Sequence, residues 1–222
     1  MSQSPASNER FNILFESVRL GPVVAPNRFY QVPHCTGMGY NLPNTLAAMR
    51  GVKAEGGWGV VNTEYCSIHP TSDDMPFPHC SLWDKNDIKR MALITNQVHF
   101  HGSLAGVELW HGGMRSSNLN TRKIPIGPVS LPTSNEPFQC QAMDRQDIKN
   151  FRQWHRKAAR RAKEAGFDIV YVYATHTYLL DQFLDPAVNT RNDEYGGKAV
   201  SYTHLRAHET DSYLVCRLLL EK

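Results

Sequence analysis

Reactive side chains gather where apolar runs end. Cys35 closes "RFYQVPHC", Tyr65 and Cys66 close "WGVVNTEYC", Glu108 lies in "SLAGVELW", and Tyr173 and His176 follow one another closely in "FDIVYVYATHTY". Each type offers its own chemistry. A thiol can act as a nucleophile or sit inert in a core. A phenol and an imidazole near one another can hold and pass a proton. An aromatic face attracts a cation, including one with few or no protons to give. An ionised carboxylate accepts hydrogen bonds and donates none. The same residues have plainer readings: a buried cysteine, packed tyrosines, a loop-capping histidine and a charge at a strand end.

The elements that must position these groups follow from periodicity. "TLAAMRGVKAEGG" reads as a helix with a glycine stop, between the strands "RFYQVPHC" and "WGVVNTEYC". In "WDKNDIKRMALITNQVHFHG", Ile88, Met91, Ile94 and Val98 recur at helical spacing, Gly102 follows the last turn, and "SLAGVELW" supplies a third strand. "MDRQDIKNFRQWHRKAARRAKEAG" puts Ile148, Phe151, Ala158, Ala162 and Ala165 on one face, with Asp144 as N-cap and Gly166 as stop. The run "FDIVYVY" is nearly all apolar, which predicts a parallel strand covered on both faces.

Strands alternating with helices predict a parallel α/β fold, either an open doubly wound sheet or a (β/α)8 TIM barrel. Polar and aromatic residues collect after several strands, in "HCTGMGYN", "EYCSIHPTSDD", "ELWHGGMRSSN" and "ATHTYLLDQF". That placement favours the barrel, whose sites form at the C-terminal strand ends. No GxGxxG turn follows the first strand and no GxxxxGK motif is present, which disfavours a dinucleotide or triphosphate site of those kinds. A full barrel takes about 250 residues, so the chain is expected to hold only about the first four βα units.

Composition narrows the partners. The 222 residues are 41% hydrophobic and 20% charged, enough for a sizeable core. A net charge of +3 arises from mixed signs without a basic–aromatic stripe, so no nucleic acid is expected. No signal peptide or membrane-span pattern is visible, which predicts no membrane partner and a cytoplasmic location. Cys35, Cys66, Cys80, Cys140 and Cys216 form no CxxC pair and read as free thiols; His34 and His79 near them lack metal-ligand spacing, and no metal is expected.

Taken together, "NRFYQVPHC", "AEGGWGVVNTEYC", "AGVELWHGG" and "AGFDIVYVYATHTYLLDQFLDPAVNTRNDEYGG" resemble the Old Yellow Enzyme, or NADH:flavin oxidoreductase, superfamily of FMN-dependent (β/α)8 barrels. Within it the chain is most similar to amine dehydrogenases of the trimethylamine dehydrogenase type, from about Ile13 to Gly197. The resemblance implies that residues 1–199 form the N-terminal half of an FMN-binding barrel. It implies a covalent bond from the Cys35 sulfur to C6 of FMN, with Pro33, His34 and Tyr65 lining the flavin ring. Glu108 stands where many relatives carry Gln facing the pyrimidine edge. Tyr65 also matches an aromatic wall around the substrate, whose tryptophan partners would lie downstream. Tyr173 and His176 match the catalytic pair, to be completed by an Asp from a later strand.

The implied reaction is oxidative N-demethylation of a small methylated amine of the trimethylamine or dimethylamine type. Electrons would pass from FMN to a 4Fe-4S cluster in a later part of the enzyme, and on to an electron-transfer-flavoprotein-type acceptor; the parent enzyme would be a homo-oligomer. The alternatives are an NAD(P)H-dependent ene-reductase of the same superfamily and an inactive truncated fragment. From Val200 onward the ending containing "SYTHLRAHET" resembles translated sequencing-adapter sequence. Residues 200–222, Cys216 included, are therefore expected to be foreign to the barrel; the alternative is a divergent C-terminal helix.

Overall fold

Pro43 opens the first long helix, and Gly56, Gly102 and Gly166 follow the ends of the three long helices. The computed structural model describes residues 9–74, 79–133, 137 and 139–196; the expectation for residues 200–222 lies outside them. A 3-10 turn over Glu9–Phe15 precedes a small antiparallel hairpin, β1 (Val18–Leu20) and β2 (Val23–Ala25), turned at Gly21 with φ 60°. Then follow β3 (Tyr30–Gln31), α1 (Pro43–Glu55), β4 (Val60–Ser67), β5 (Cys80–Ser81), α2 (Asn86–Phe100) and β6 (Leu104–Trp110). After β7 (Ile126–Gly127) and β8 (Gln141–Ala142) come α3 (Arg145–Glu164), β9 (Ile169–Val172) and α4 (Leu179–Leu184).

Strands β3, β4, β6 and β9 lie side by side in chain order and all run parallel, with β5 paired to the end of β4. A doubly wound sheet reverses its order at a switch point. This sheet runs on in one direction with helices between its strands, as the wall of a barrel does. The fold is therefore a partial α/β barrel. The strand ends carrying Tyr65, Glu108 and Tyr173 all face one rim because parallel strands end together.

The helices cover the outer face. Leu46, Ala47 and Ala54 of α1, Met91, Ile94 and Val98 of α2, and Ile148, Phe151, Ala158 and Ala162 of α3 are buried with Val61, Val107 and Leu109 of the sheet. Burial of each large aliphatic side chain contributes about 1.5–3 kcal/mol. Asp144 caps α3 as its sequence predicts: its carboxylate accepts from Asp147 N at 2.7 Å, while Asp147 accepts from Asp144 N at 3.1 Å. Gly166 then ends the helix with φ 93°. No helix among the described residues is long and apolar enough to cross a membrane.

Two expectations change in the structure. "RFYQVPHC" is ladder-paired only at Tyr30 and Gln31. Pro33 has no N–H to donate, so the chain leaves the sheet early and Cys35 stands on an exposed loop, not at the end of a buried strand. The run "FDIVYVY" is not covered on both faces: Tyr171 and Val172 are 43% and 38% exposed. Strand β9 pairs with β6 alone among the described strands.

Candidate active site at the strand ends

The register of β4 against β6 shifts between Asn62 and Tyr65, a local irregularity that brings Tyr65 opposite Glu108. Glu64, just before Tyr65, is fully buried. Its carboxylate accepts from Thr36 N at 2.9 Å, Thr36 Oγ1 at 2.7 Å, Gly37 N at 3.1 Å and Gly39 N at 2.9 Å. One side chain thus fixes the loop that begins with Cys35. Gly39 is required for this closure, because a Cβ there would overlap Glu64 Oε1 and the Cys80 sulfur. Behind the loop the buried Arg50 guanidinium donates to His34 O, and His34 N donates to Thr63 O at 3.2 Å.

An aromatic group spans the ends of β4, β6 and β9. The Tyr65 ring lies 4.1 Å from His79 and 4.5 Å from Trp110; Trp110 meets Tyr178 edge-on at 5.3 Å; Tyr178 lies 5.1 Å from Tyr173. Tyr173 Oη is 2.8 Å from His176 Nδ1. Tyr178 therefore bridges the Tyr65 side of the rim to the Tyr173–His176 pair. His176 and Thr177 take φ values of 56° and 57°, a left-handed backbone unusual for side-chain-bearing residues. Thr177 N donates to Asp181 Oδ2 at 2.7 Å, tying this turn to the start of α4.

Asp74 ties the other side together. Its Oδ2 accepts from both the Tyr65 hydroxyl and His79 Nδ1. Burial alone would lower the His79 imidazole, but the bond to Asp74, with the charges of Asp74 and Glu64, pushes it up to about 10. Burial first, and then Asp74, holds the Tyr65 phenol well above its ordinary range. A small cleft opens here, lined by Tyr40, Tyr65, Asp74, His79 and Trp83 among others.

Glu108 is 3% exposed, and burial pushes its carboxyl up to about 8. At neutral pH it is largely a neutral acid, which both donates and accepts as an amide does. Desolvation by the strand environment thus favours the neutral acid of Glu108 over the acceptor-only carboxylate. This donor–acceptor edge fits the N–H and C=O groups of an isoalloxazine ring, so the rim suits FMN at this point. Cys35 and Glu108 both act electrostatically on Tyr173 and Tyr178.

Sequence reasoning passed over Glu64, Asp74, Trp110 and Tyr178, and read His79 only as a non-ligand. Trp110 ends β6 and Tyr178 caps the start of α4, positions that could have marked them; nothing local marks Glu64, whose partners lie far along the chain, or Asp74, whose partners Tyr65 and His79 lie within nine residues. A second buried cluster lies beneath the rim. His69 stacks on Trp154 at 3.7 Å, and Thr71 Oγ1 bridges His69 Nδ1 at 2.8 Å and His111 Nε2 at 2.9 Å.

A sequentially ordered parallel barrel wall with polar and aromatic groups on one rim defines the chain as part of an α/β barrel. The chain belongs to the NADH:flavin oxidoreductase / NADH oxidase family, whose model matches residues 13–201. It is 43% identical over 199 residues to a dimethylamine dehydrogenase of Hyphomicrobium sp. (strain x), an alignment spanning 86% of this chain and 27% of that protein. The solved structure of histamine dehydrogenase from Rhizobium sp. 4-9 superposes with a TM-score of 0.88 at 43% identity, covering 92% of this chain and 32% of that one. An NADPH dehydrogenase of Listeria monocytogenes serotype 4a (strain HCC23) is 30% identical over 193 residues, 84% of this chain and 55% of that protein. The chain thus spans about a quarter to a half of the length of these relatives.

Proposed function

We propose that the chain forms the first part of an FMN-dependent amine dehydrogenase barrel that oxidatively demethylates a small methylated amine. The observation that carries this reading is the Tyr173–His176 pair, 2.8 Å apart, joined through Tyr178 to the Trp110–Tyr65 aromatic group. Aromatic faces suit a methylated ammonium group, and a phenol–imidazole pair suits control of a proton beside an amine. The 43% identity to a dimethylamine dehydrogenase supports the same branch.

FMN, when bound, supplies the acceptor for the two electrons of the substrate's methyl C–H bond. Pro33, His34 and Tyr65 would line its ring, the neutral Glu108 would meet its pyrimidine edge, and Cys35 would tether it. Tyr173 and His176 hold the substrate nitrogen in the protonation state that permits oxidation. Water then hydrolyses the iminium product to formaldehyde and the shorter amine. The Tyr65 hydroxyl is committed to Asp74, so Tyr65 contributes its ring and not a proton. A later Asp orienting His176, a 4Fe-4S cluster and an electron-transfer-flavoprotein-type acceptor complete the proposed enzyme, working as a homo-oligomer in the cytoplasm.

The test is anaerobic bleaching of the flavin in FMN-loaded protein. Loss of the oxidised band on adding dimethylamine or trimethylamine, with no response to NADPH, is the expected result. Bleaching by NADPH and reoxidation by an activated alkene, with amines inert, would establish the ene-reductase reading instead.

A further inference from the structure

We propose that His111 is a positioning residue for the rim, acting through a one-way hydrogen-bond chain, His111 Nε2–H to Thr71 Oγ1–H to His69 Nδ1, that fastens the loop after β4 to the loop after β6. What the rim receives rests on the amine reading above; the chain belongs to the fold.

Thr71 Oγ1 lies 2.8 Å from His69 Nδ1 and 2.9 Å from His111 Nε2, and a hydroxyl both donates and accepts, so such a chain could run either way. The backbone removes that freedom. Gly113 N donates to His111 Nδ1 at 3.1 Å, and Thr71 N donates to His69 Nδ1 at 3.3 Å. Both Nδ1 atoms therefore carry lone pairs, and each ring keeps its proton on Nε2. His111 then donates to Thr71, and Thr71 to His69. Reversing the chain, or adding a second proton to either ring, would set an imidazole N–H against a backbone N–H.

The surroundings keep both rings neutral. His111 is buried, with the Phe151 ring edge-on at 5.5 Å and the Trp154 ring at 6.0 Å, while His69 stacks on Trp154 at 3.7 Å. Burial, the cations Lys123, Lys157 and Arg161 around His69, and His155 beside His111 all disfavour an added positive charge.

Three loops converge on His111. Next to Thr71, Ser72 Oγ accepts from Gly112 N at 2.7 Å, and Asp73 Oδ2 accepts from Thr121 N at 2.7 Å, which extends the join between the loops after β4 and β6. The loop after β9 joins through Leu179 N, which donates to His111 O at 3.0 Å, and through Gln182 Nε2, which donates to Gly112 O at 3.1 Å and Thr177 O at 2.6 Å. The rim residues are the immediate chain neighbours of these bonded groups. Trp110 precedes His111, Asp74 follows Asp73 and holds the Tyr65 hydroxyl, and Tyr178 stands between Thr177 and Leu179. Loosening the chain is thus passed to Tyr65, Trp110 and Tyr178 together.

Imidazole nitrogen NMR of the full chain at pH 7 reads the tautomers: His69 and His111 are both expected to show a protonated Nε2 and a bare Nδ1. Thr71→Val keeps the side chain's shape without its hydroxyl, and is expected to quicken hydrogen exchange at Gly112 and Gly113 about tenfold while α2 amides stay unchanged. In FMN-loaded protein it should raise the trimethylamine concentration for half-maximal flavin bleaching about fivefold and leave the limiting rate within about twofold, the pattern of weakened binding. Thr71→Ser should restore both. An Nδ1–H tautomer at either ring, or unchanged exchange in Thr71→Val, overturns the chain, whatever amines do. Faster exchange with an unchanged half-maximal concentration overturns its control of the rim. Faster exchange in a protein that no amine bleaches supports the chain and overturns the amine reading alone. The tautomers are read on the parent chain, so that arm decides if Thr71→Val does not fold.

Discussion

The Tyr173 hydroxyl lies 2.8 Å from His176 Nδ1, across a turn in which His176 and Thr177 both hold a left-handed backbone. The pairing of phenol and imidazole is set by this strained turn, which Asp181 secures from α4. Backbone strain retained at a rim is a feature of sites where position matters more than local ease.

Replacing Tyr173 by Phe removes the hydroxyl and keeps the ring. In FMN-loaded enzyme the limiting rate of amine-dependent flavin reduction is expected to fall about 100-fold, with FMN content unchanged. A rate within a factor of two of the parent would remove Tyr173 from the proton-handling pair.

Glu64→Gln keeps the size of the clamp and replaces a charge-assisted acceptor by one that must turn an NH₂ group toward backbone donors. Stability is expected to drop by about 2 kcal/mol, the scale of hydrogen bonds to a charged group. Hydrogen exchange should quicken at Thr36, Gly37 and Gly39 ahead of the sheet, because those amides lose their shared acceptor. Uniform quickening throughout the barrel strands would assign Glu64 a general core role instead.

Glu108 gives a pH signature in the flavin-free protein. Burial raises its folded pKa to about 8, above the unfolded value of about 4.3. The folded state then binds the extra proton, so this stability is full below about pH 4.3 and is lost as pH rises through about 8. Glu108→Gln cannot ionise, and its folding equilibrium should exceed the parent's by about tenfold or more above pH 8, with the gap closing in acid. Denaturant midpoints across that range check the sign; a gap that widens in acid contradicts the buried-acid assignment.

The histidine cluster predicts the opposite slope. Burial lowers His69 and His155 to about 4, and burial with neighbouring His155 and His69 holds His111 well below its ordinary value. Unfolded imidazoles take up protons near pH 6.5 while these resist, so the stability they contribute is full above that pH and falls as pH drops from about 6.5 to about 4. His155 Nε2 is buried with no partner. His155→Phe should therefore raise the thermal midpoint at pH 5 more than at pH 7; an equal shift at both would show that its titration is not coupled to folding.

The sequence carried the local rules. Ile148, Phe151, Ala158 and Ala162 mark the buried face of α3 because a helix repeats every 3.6 residues, and Asp144 and Gly166 mark its ends because unpaired helix-end groups need a cap and a left-handed stop. Alternation of such helices with apolar strands was enough to predict parallel barrel units. It also placed Tyr65, Glu108 and Tyr173 at or next to strand ends, since parallel strands end on one rim, whereas Cys35, expected there too, stands on the loop beyond β3. The same reading failed at β9, where an apolar run predicts cover on both faces and Tyr171 and Val172 stand exposed. Apolar composition states what a strand could bury, not what lies beside it.

Tertiary structure alone decided the chemistry those positions can perform. Glu64 meets Thr36, and Tyr65 meets both Trp110 and Tyr178, across sequence separations that no periodicity encodes. Asp74 is within nine residues of its partners Tyr65 and His79, yet only the fold of that loop brings all three together. The protonation of Glu108 and His79 is a property of surroundings: one side chain is desolvated without a donor, the other is held by Asp74. Residue type fixes which protons can move; the packed neighbours, through desolvation and charge at short range, fix where those protons rest.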